Sequence, residues 1–363
     1  MPKLLIFKET LLPPSETFVL AQMNSLRTFT PLLTGLERMA CSLPLVDDPL
    51  MLSPAAGHAA AMRAKLYRRT GVAPRFHSRA RQFGPNLIHA HFASGGQTAI
   101  PLARALGVPL VVTLHGADVT IRGASARYKP VIEAAARFIC VSDYIRHRAL
   151  QAGFPAEKLV LHYIGIDRAL YAPVAARPET GVIFVGRLVE KKGCKYLLRA
   201  MRIVQRTHPE CALTVIGDGA MRNELEELAR FLNLNCSFLG TQASSVVRQR
   251  MSQSRVVCVP SVTAANGDSE GLPTVLAEAQ AMGLPVVSTM HAGIPEMVDS
   301  GATGFLLPER DYKGMAEALL TLLADDGLWD RFHRASIDRI ARQFDLAKQT
   351  EILEEIYRGA LST

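Results

Sequence analysis

Val182-Ile183-Phe184-Val185-Gly186-Arg187-Leu188-Val189-Glu190-Lys191-Lys192-Gly193 reads as a short apolar strand, a turn carrying glycine and cations, and the start of a helix. Just before it, Ala172-Pro173-Val174-Ala175-Ala176-Arg177-Pro178-Glu179-Thr180-Gly181 has the prolines and small residues of a connector. Upstream, apolar runs at Leu4 to Lys8, Leu87 to Ala90, Leu110 to Leu114, Phe138 to Val141 and Leu159 to His162 alternate with amphipathic stretches. Downstream the series restarts, with strands expected at Val182 to Val185, Ala212 to Ile216, Cys236 to Leu239, Val256 to Val259, Pro285 to Ser288 and Phe305 to Leu307. Short apolar runs alternating with helical ones build parallel sheets from strand-helix-strand units. The chain is therefore expected to be α/β, with two Rossmann-like doubly wound domains facing a cleft. They cover residues 1–171 and 182–363, joined by a linker at 172–181, with the last helix, from about 345, packing back on the first domain. A length of 363 residues agrees, since one hydrophobic core rarely grows so large. Ligands of such sheets bind beyond the carboxyl ends of the strands, so candidate residues are sought there.

Composition excludes several classes. At 48% hydrophobic and 20% charged, with 26 Gly and 21 Pro, the chain is too apolar for disorder and too punctuated for a coiled coil. The six cysteines show no CxxC spacing, which suits a reducing compartment. The N-terminal apolar run stops at Lys8 and Glu9, short of a secretory core. The net charge of +8 is uneven: residues 1–170 carry 20 Lys and Arg against 10 Asp and Glu, and the remainder 21 against 23. Arg63, Lys65, Arg68, Arg69, Arg75, Arg79 and Arg81 follow one another with no acid between them. Such a run attracts an anionic lipid surface or a phosphorylated acceptor, or is simply a solvated helix face. No nucleic-acid motif accompanies it, and no nucleic-acid partner is expected.

In the second half, Arg187 and Lys192 stand five residues apart on the loop that opens at Gly186. Two cations there can converge on a diphosphate, one as a planar fork and one as a point charge, or serve only as surface charge. The order is not that of a P-loop, which argues against an ordinary NTPase. Gly217-Asp218-Gly219 ends another strand and lacks the third glycine of a nicotinamide fingerprint. Asn266-Gly267-Asp268-Ser269-Glu270-Gly271-Leu272-Pro273-Thr274-Val275-Leu276-Ala277-Glu278-Ala279 is the strongest local signal. Asp268 or Ser269 is expected to cap a helix with Pro273 in its first turn, and Gly271 lets backbone approach a ligand. Glu270 and Glu278 fall roughly 12 Å apart at 1.5 Å per residue. That is too far for a proton-sharing pair and suits two acceptors on one extended ligand.

Together, the Gly186-Arg187…Lys192-Gly193 loop, the Gly217-Asp218-Gly219 turn, the Glu270-x7-Glu278 segment and Val112-Thr113-Leu114-His115-Gly116-Ala117-Asp118 resemble the family 4 glycosyltransferases of GT-B architecture. Pro260 to Asp268 and Pro14-Ser15-Glu16-Thr17-Phe18 are similar to the bacterial exopolysaccharide and colanic-acid-type subgroup. The resemblance implies a retaining hexosyltransferase that uses a nucleotide diphosphate sugar, UDP-linked by preference and GDP-linked as the alternative. Arg187 and Lys192 would bind the diphosphate, Glu278 the ribose, Glu270 the transferred sugar, and the Gly271 and Leu272 amides the sugar or β-phosphate. It implies no cofactor and no metal, and no Asp-x-Asp or histidine-rich set is present to hold one.

His115 ends the strand Leu110 to Leu114 and resembles the family's histidine that contacts donor sugar and phosphate, with Asp118 orienting its loop. His91, and less so His89, ends another strand and either lines an acceptor groove or forms a hydrogen-bonded wall. The family's usual glycine-rich turn after the first strand is replaced by Leu11-Leu12-Pro13-Pro14-Ser15-Glu16-Thr17, with Ser15 as the expected cap of a helix running through Leu26. Ser15, Glu16, Thr17, His91 and Asp118 are thus the acceptor-side residues. The implied acceptor is a saccharide on a polyprenyl diphosphate, which would place a cytoplasmic enzyme against the anionic inner leaflet through the Arg63 to Arg81 run. The alternatives are a nucleotide-sugar epimerase or sugar-phosphate synthase of the same fold, and a non-catalytic module that binds anionic lipid.

Overall fold

The computed structural model describes residues 1–13, 16–39, 48–54, 56–121 and 123–362. Ser15 and Cys41 therefore lie outside the described residues. The chain divides into two compact units, residues 1–165 with 346–363, and residues 166–345. The division falls six residues ahead of the 171 boundary expected from the prolines. Its physical mark is backbone pairing: Ile166 N–H donates to Phe344 O at 2.7 Å, and Ile166 bridges Asp345. The two chain crossings run side by side, which places Tyr171 in the second unit.

The first unit is a seven-stranded sheet in the order β3-β2-β1-β4-β5-β6-β7. Its strands are β1 (Lys3–Leu11), β2 (Thr30–Arg38), β3 (Leu50–Met51), β4 (Leu87–His91), β5 (Leu110–Leu114), β6 (Arg137–Cys140) and β7 (Leu159–Leu161), all parallel. Parallel strands are covered on both faces, which is why β5 is buried at every residue and reads as an unbroken apolar run. β2 is missing from the sequence expectation because Pro31 and Gly35 interrupt its pattern. Gly35 is needed there, since a Cβ would stand 2.4 Å from Lys8 O on β1. The helix Leu346–Leu361 closes this core with Leu353, Tyr357 and Ala360. Its Glu354 accepts the Arg27 and Thr28 amides at 2.7 and 2.6 Å.

The second unit is a six-stranded parallel sheet in the order β10-β9-β8-β11-β12-β13. Its strands are β8 (Val182–Val185), β9 (Leu213–Ile216), β10 (Cys236–Phe238), β11 (Val256–Cys258), β12 (Val286–Thr289) and β13 (Gly304–Leu307). The strand order reverses between β8 and β11, and the loops leaving those two strands pack tightly. A Cβ on Gly193, whose φ is +65°, would lie 1.8 Å from Pro260 O. Only glycine fits that position. The described cysteines are free thiols, and burial pushes that of Cys140 up to about 12.

Candidate functional site

In the second unit, strand ends bring together what the sequence singled out. The β8 loop and the turn after β9 are stitched by backbone: Leu188 N–H donates to Asp218 O at 2.9 Å and Met221 N–H to Leu188 O at 3.0 Å. Gly217 (φ +132°) and Gly219 (φ +159°) allow this, because a Cβ on either would meet the β8 loop backbone at 2.0 and 2.5 Å. Asp218 is spent locally, accepting from Gly219 N–H at 2.7 Å and Arg222 Nη1 at 3.0 Å. Arg187 is exposed and has no ion-pair partner among the described residues.

Lys192 Nζ sits 2.8 Å from Glu270 Oε1, and Ser261 Oγ donates to the same oxygen at 3.1 Å. Burial alone would push the Glu270 carboxyl up, but Lys192 and Lys191 outweigh it and hold the group at about 2. It is therefore ionised throughout the neutral range. Lys191, which the sequence reading passed over, is buried and donates to Asp268 Oδ1 at 3.0 Å and Ser269 O at 3.2 Å. Asp268 thus serves as a salt-bridge partner. The helix Thr274–Ala281 starts after Pro273, which is its N-cap with no side-chain cap bond, so the expected capping by Asp268 or Ser269 is corrected. The lysine draws the acid away from the helix end. Gly271 and Leu272 are buried beside Glu270.

Glu278 behaves differently. Burial raises its carboxyl to about 7, against a hydrogen bond from Tyr171 and the charge of Arg248, which pull it down. The Arg248 guanidinium carbon lies 5.6 Å from the Tyr171 ring centre. Neither Tyr171 nor Arg248 was found from the sequence, since one sits just ahead of the connector and the other on a helix whose register carries no motif.

Of the residues expected on the acceptor side, Glu16, Thr17, His91 and Asp118 lie in the first unit, as does His115. His91 Nδ1 and His115 Nε2 are 3.1 Å apart, one donating and the other accepting. His115 N–H donates to Asp118 Oδ2 at 2.8 Å, and Ala93 N–H to Asp118 Oδ1 at 2.7 Å. The carboxylate so ties the end of β5 to the end of β4. Phe92, at φ +68°, and Phe18 pack their rings 4.4 and 5.2 Å from His115. Burial drives His91 and His115 well below the ordinary histidine value, with neighbouring histidines and Lys8 adding to it. Both are neutral. His89 bonds Tyr357 and Thr113 at 2.7 and 2.6 Å, a wall residue. Glu16 N-caps the helix Thr17–Ser25 without a side-chain bond, and its carboxylate pairs with buried Lys8 at 2.8 Å. A cavity of about 170 Å³ opens here, lined by Phe92, Ser94, Asp118, Arg127 and Tyr128.

The basic run occupies the helices His58–Thr70 and Pro74–Phe83. Arg63, Lys65, Arg69 and Arg75 are exposed and have no ion-pair partner among the described residues. Arg68 instead turns to Glu37 at 2.8 Å and Glu9 at 3.4 Å. Arg79 and Arg81 reach backbone carbonyls of Met51 and Ala105. Among the described residues no group of three or more His, Cys, Asp or Glu is placed to hold a metal.

Residues 53–170 match the profile described as Glycosyltransferase Family 4, and residues 174–342 that described as Glycosyl transferases group 1. The amylovoran biosynthesis glycosyltransferase AmsK of Erwinia amylovora is 31% identical over 79% of this chain and 72% of its own length. The chain belongs to the family 4 glycosyltransferases. The colanic acid biosynthesis relative WcaL of Escherichia coli is 33% identical over 66% of this chain, and the match spans 62% of that protein's length. Anabaena Alr3699/HepE, solved in complex with UDP and glucose, superimposes with a TM-score of 0.78 at 21% identity, covering 99% of this chain and 100% of that one. The fold of this family member is thus GT-B. No helix among the described residues is long and apolar enough to cross a membrane.

Proposed function

We propose that the chain is a glycosyltransferase of bacterial surface-glycan assembly, moving a hexose from a nucleotide diphosphate sugar, UDP-linked by preference, to a saccharide acceptor. The observation that carries this reading is the Lys192–Glu270 pair at 2.8 Å, at the strand-order reversal of the second sheet and on the same loop as exposed Arg187, which has no ion-pair partner among the described residues. An arriving pyrophosphate is a better partner for Lys192 than a carboxylate that then turns to sugar hydroxyls, and Arg187 adds a planar fork. Glu278 takes the ribose hydroxyls. UDP and glucose bound to the Anabaena neighbour support a UDP-sugar.

In the reaction the bond from the anomeric carbon to the diphosphate oxygen breaks, and one to the acceptor hydroxyl oxygen forms on the same face. The hydroxyl proton passes to the departing phosphate, so configuration is retained. Negative charge grows on the diphosphate, where two fixed cations stabilise the transition state more than the ground state. No metal is needed in this scheme. His115 and His91, both neutral, are hydrogen-bonding groups for saccharide, and Asp118 holds their loop.

The acceptor is proposed to be lipid-linked, on a polyprenyl diphosphate at the inner leaflet. On the helix His58–Thr70, Met62 (73% exposed) and Leu66 (59%) lie one turn apart, opposite buried Ala60, Ala64 and Tyr67, and Val72 (64%) follows. Lys65 and Arg69 flank them, a mix suited to anionic headgroups over acyl chains.

The decisive experiment is thermal shift with UDP and GDP, followed by incubation with UDP-hexoses and NMR of the product. Stabilisation that rises with nucleotide, and a product with a new, retained glycosidic bond, are expected. Absence of stabilisation by either nucleotide, or an inverted anomer, would sink the proposal. A product without a new glycosidic bond would instead favour an epimerase.

A further inference from the structure

Three neighbouring strands of the second sheet each send one group to the same place. The loop after β11 carries Glu270, the end of β12 is followed by His291, and that of β13 by Glu309. His291 is 2% exposed. Glu270 N–H donates to His291 Nε2 at 3.2 Å, while His291 Nδ1 lies 2.7 Å from Glu309 Oε1. An ionised carboxylate only accepts, so Nδ1 carries the proton and Nε2 keeps the lone pair that the Glu270 amide needs. Glu309 stays ionised: burial would raise it, but hydrogen bonds from Thr263 and His291 outweigh that and lower it. Its other oxygen, Oε2, takes Thr263 N–H at 3.1 Å and Arg310 Nη1 at 2.9 Å.

The backbone beside both members is strained. Ala292 has φ +51° and Arg310 φ +69°, two of the four non-glycine residues with positive φ among those described. Such conformations are uncommon and persist where surrounding structure over-determines them.

We propose that His291, held by Glu309 in its Nδ1–H tautomer, is the positioning residue for Glu270: its Nε2 takes the Glu270 amide and so fixes the angle at which that carboxylate meets the transferred sugar. This rests on the reading that Glu270 binds the sugar. Neither residue reaches the reacting atoms. The contribution is orientational, and a displacement of about 1 Å at such a group costs on the order of 10²-fold in rate.

Three variants separate this from packing. In His291→Gln the amide oxygen reaches the Nε2 position and still accepts from Glu270 N–H. His291→Asn keeps only a mimic of the Nδ1 donor. Glu309→Gln places its oxygen against Thr263 N–H and Arg310, leaving its NH2 to face His291, which forces the Nε2–H tautomer and sets two donors against each other. With UDP-glucose as donor probe, turnover in His291→Asn and Glu309→Gln is expected to fall about 10²-fold. His291→Gln should stay within a few-fold of the parent, and all three should bind UDP about as well as it does. Histidine ¹⁵N spectra should show Nδ1–H at His291 in the parent and Nε2–H in Glu309→Gln.

Equal loss in His291→Gln and His291→Asn, unimpaired turnover in Glu309→Gln, or an Nε2–H ring in the parent would each overturn the proposal. If the parent binds neither UDP nor GDP, the donor reading fails separately. The ring tautomer and slow exchange of the Glu270 amide, lost in Glu309→Gln, then decide the positioning role on their own.

Discussion

The two sets of strand-end residues solve the same problem, placing polar groups where water is scarce, in opposite ways. In the first unit the histidines are neutral: His89, His91 and His115 are driven below the ordinary histidine value by burial, and are hydrogen-bonded to one another or to Thr113 and Tyr357. In the second unit the groups are charged and compensated, with Lys192 on Glu270 and Lys191 on Asp268. A neutral cluster is cheap to bury and suits hydroxyl-rich saccharides. A paired charge cluster is costly to form, and breaking one partner leaves an uncompensated ion. A ligand able to replace a partner, as a diphosphate can replace a carboxylate, therefore binds the second kind of site strongly.

The largest way to break this contrast is Lys192→Ala. It should lower turnover by about 10²- to 10³-fold and destabilise the fold by about 3–5 kcal/mol, because Glu270 is left buried and unpaired. Adding Glu270→Gln should restore most of the stability, read by urea unfolding, but none of the turnover. If the double variant is no more stable than the single, the charge-compensation argument is wrong.

Acid sensitivity should sharpen the difference. His89, lowered to about 3, and His162, lowered to about 4, join His91 and His115 in taking up protons on unfolding that the folded state refuses. The unfolded chain binds those protons below pH 6.5, so stability falls as pH drops from 6.5 towards 4, by at most about 1.4 kcal/mol per histidine per pH unit. Glu270 acts with the same sign in a lower pH window. Its carboxyl is depressed from 4.5 to about 2, so its contribution is fully present above the unfolded value and is lost progressively as pH falls from there through 2. Urea midpoints in His89→Gln should depend less steeply on pH between 4 and 6.5, and an unchanged slope would count against a buried neutral ring.

Glu278 provides a smaller test. With its carboxyl at about 7, UDP affinity should strengthen as pH rises from 6 to 8, since only the ionised group accepts both ribose hydroxyls. Glu278→Gln should weaken UDP about tenfold, the loss of one charge-assisted bond. It should also flatten the part of the pH dependence that belongs to the protein, leaving that of the phosphate. Calorimetry across that range in both proteins checks it.

Outside both clusters, Lys65→Glu with Arg69→Glu should weaken binding to vesicles rich in anionic lipid by about 1 kcal/mol per cation removed, and somewhat more for reversed charge. Met62→Ser with Leu66→Ser should weaken binding to the same vesicles at high salt, where charge is screened. Co-sedimentation unaffected by either pair would remove this helix as the contact. The smallest expected effect is Ala292→Gly, a gain of about 1 kcal/mol from relieving left-handed backbone, with turnover retained if His291 keeps its place.

Sequence by itself determined the doubled α/β pattern, the loop of Gly186 to Gly193, and Glu270, Glu278, His115 and His91 as candidates, because the loop and the two histidines sit at strand ends and the two glutamates share one short segment that opens a helix, so local pattern suffices. It passed over β2, whose Pro31 and Gly35 hide the strand period while Gly35 serves a close approach to Lys8 visible only in the sheet. Only the tertiary structure decided that Lys192 pairs with Glu270, that Lys191 takes Asp268 from the helix end, that Tyr171 and Arg248 meet Glu278, and that His291 and Glu309 stand behind Glu270. The physical reason is distance along the chain. A hydrogen bond or ion pair needs atoms within about 3 Å, and residues tens of positions apart come that close only when parallel strands set their ends side by side.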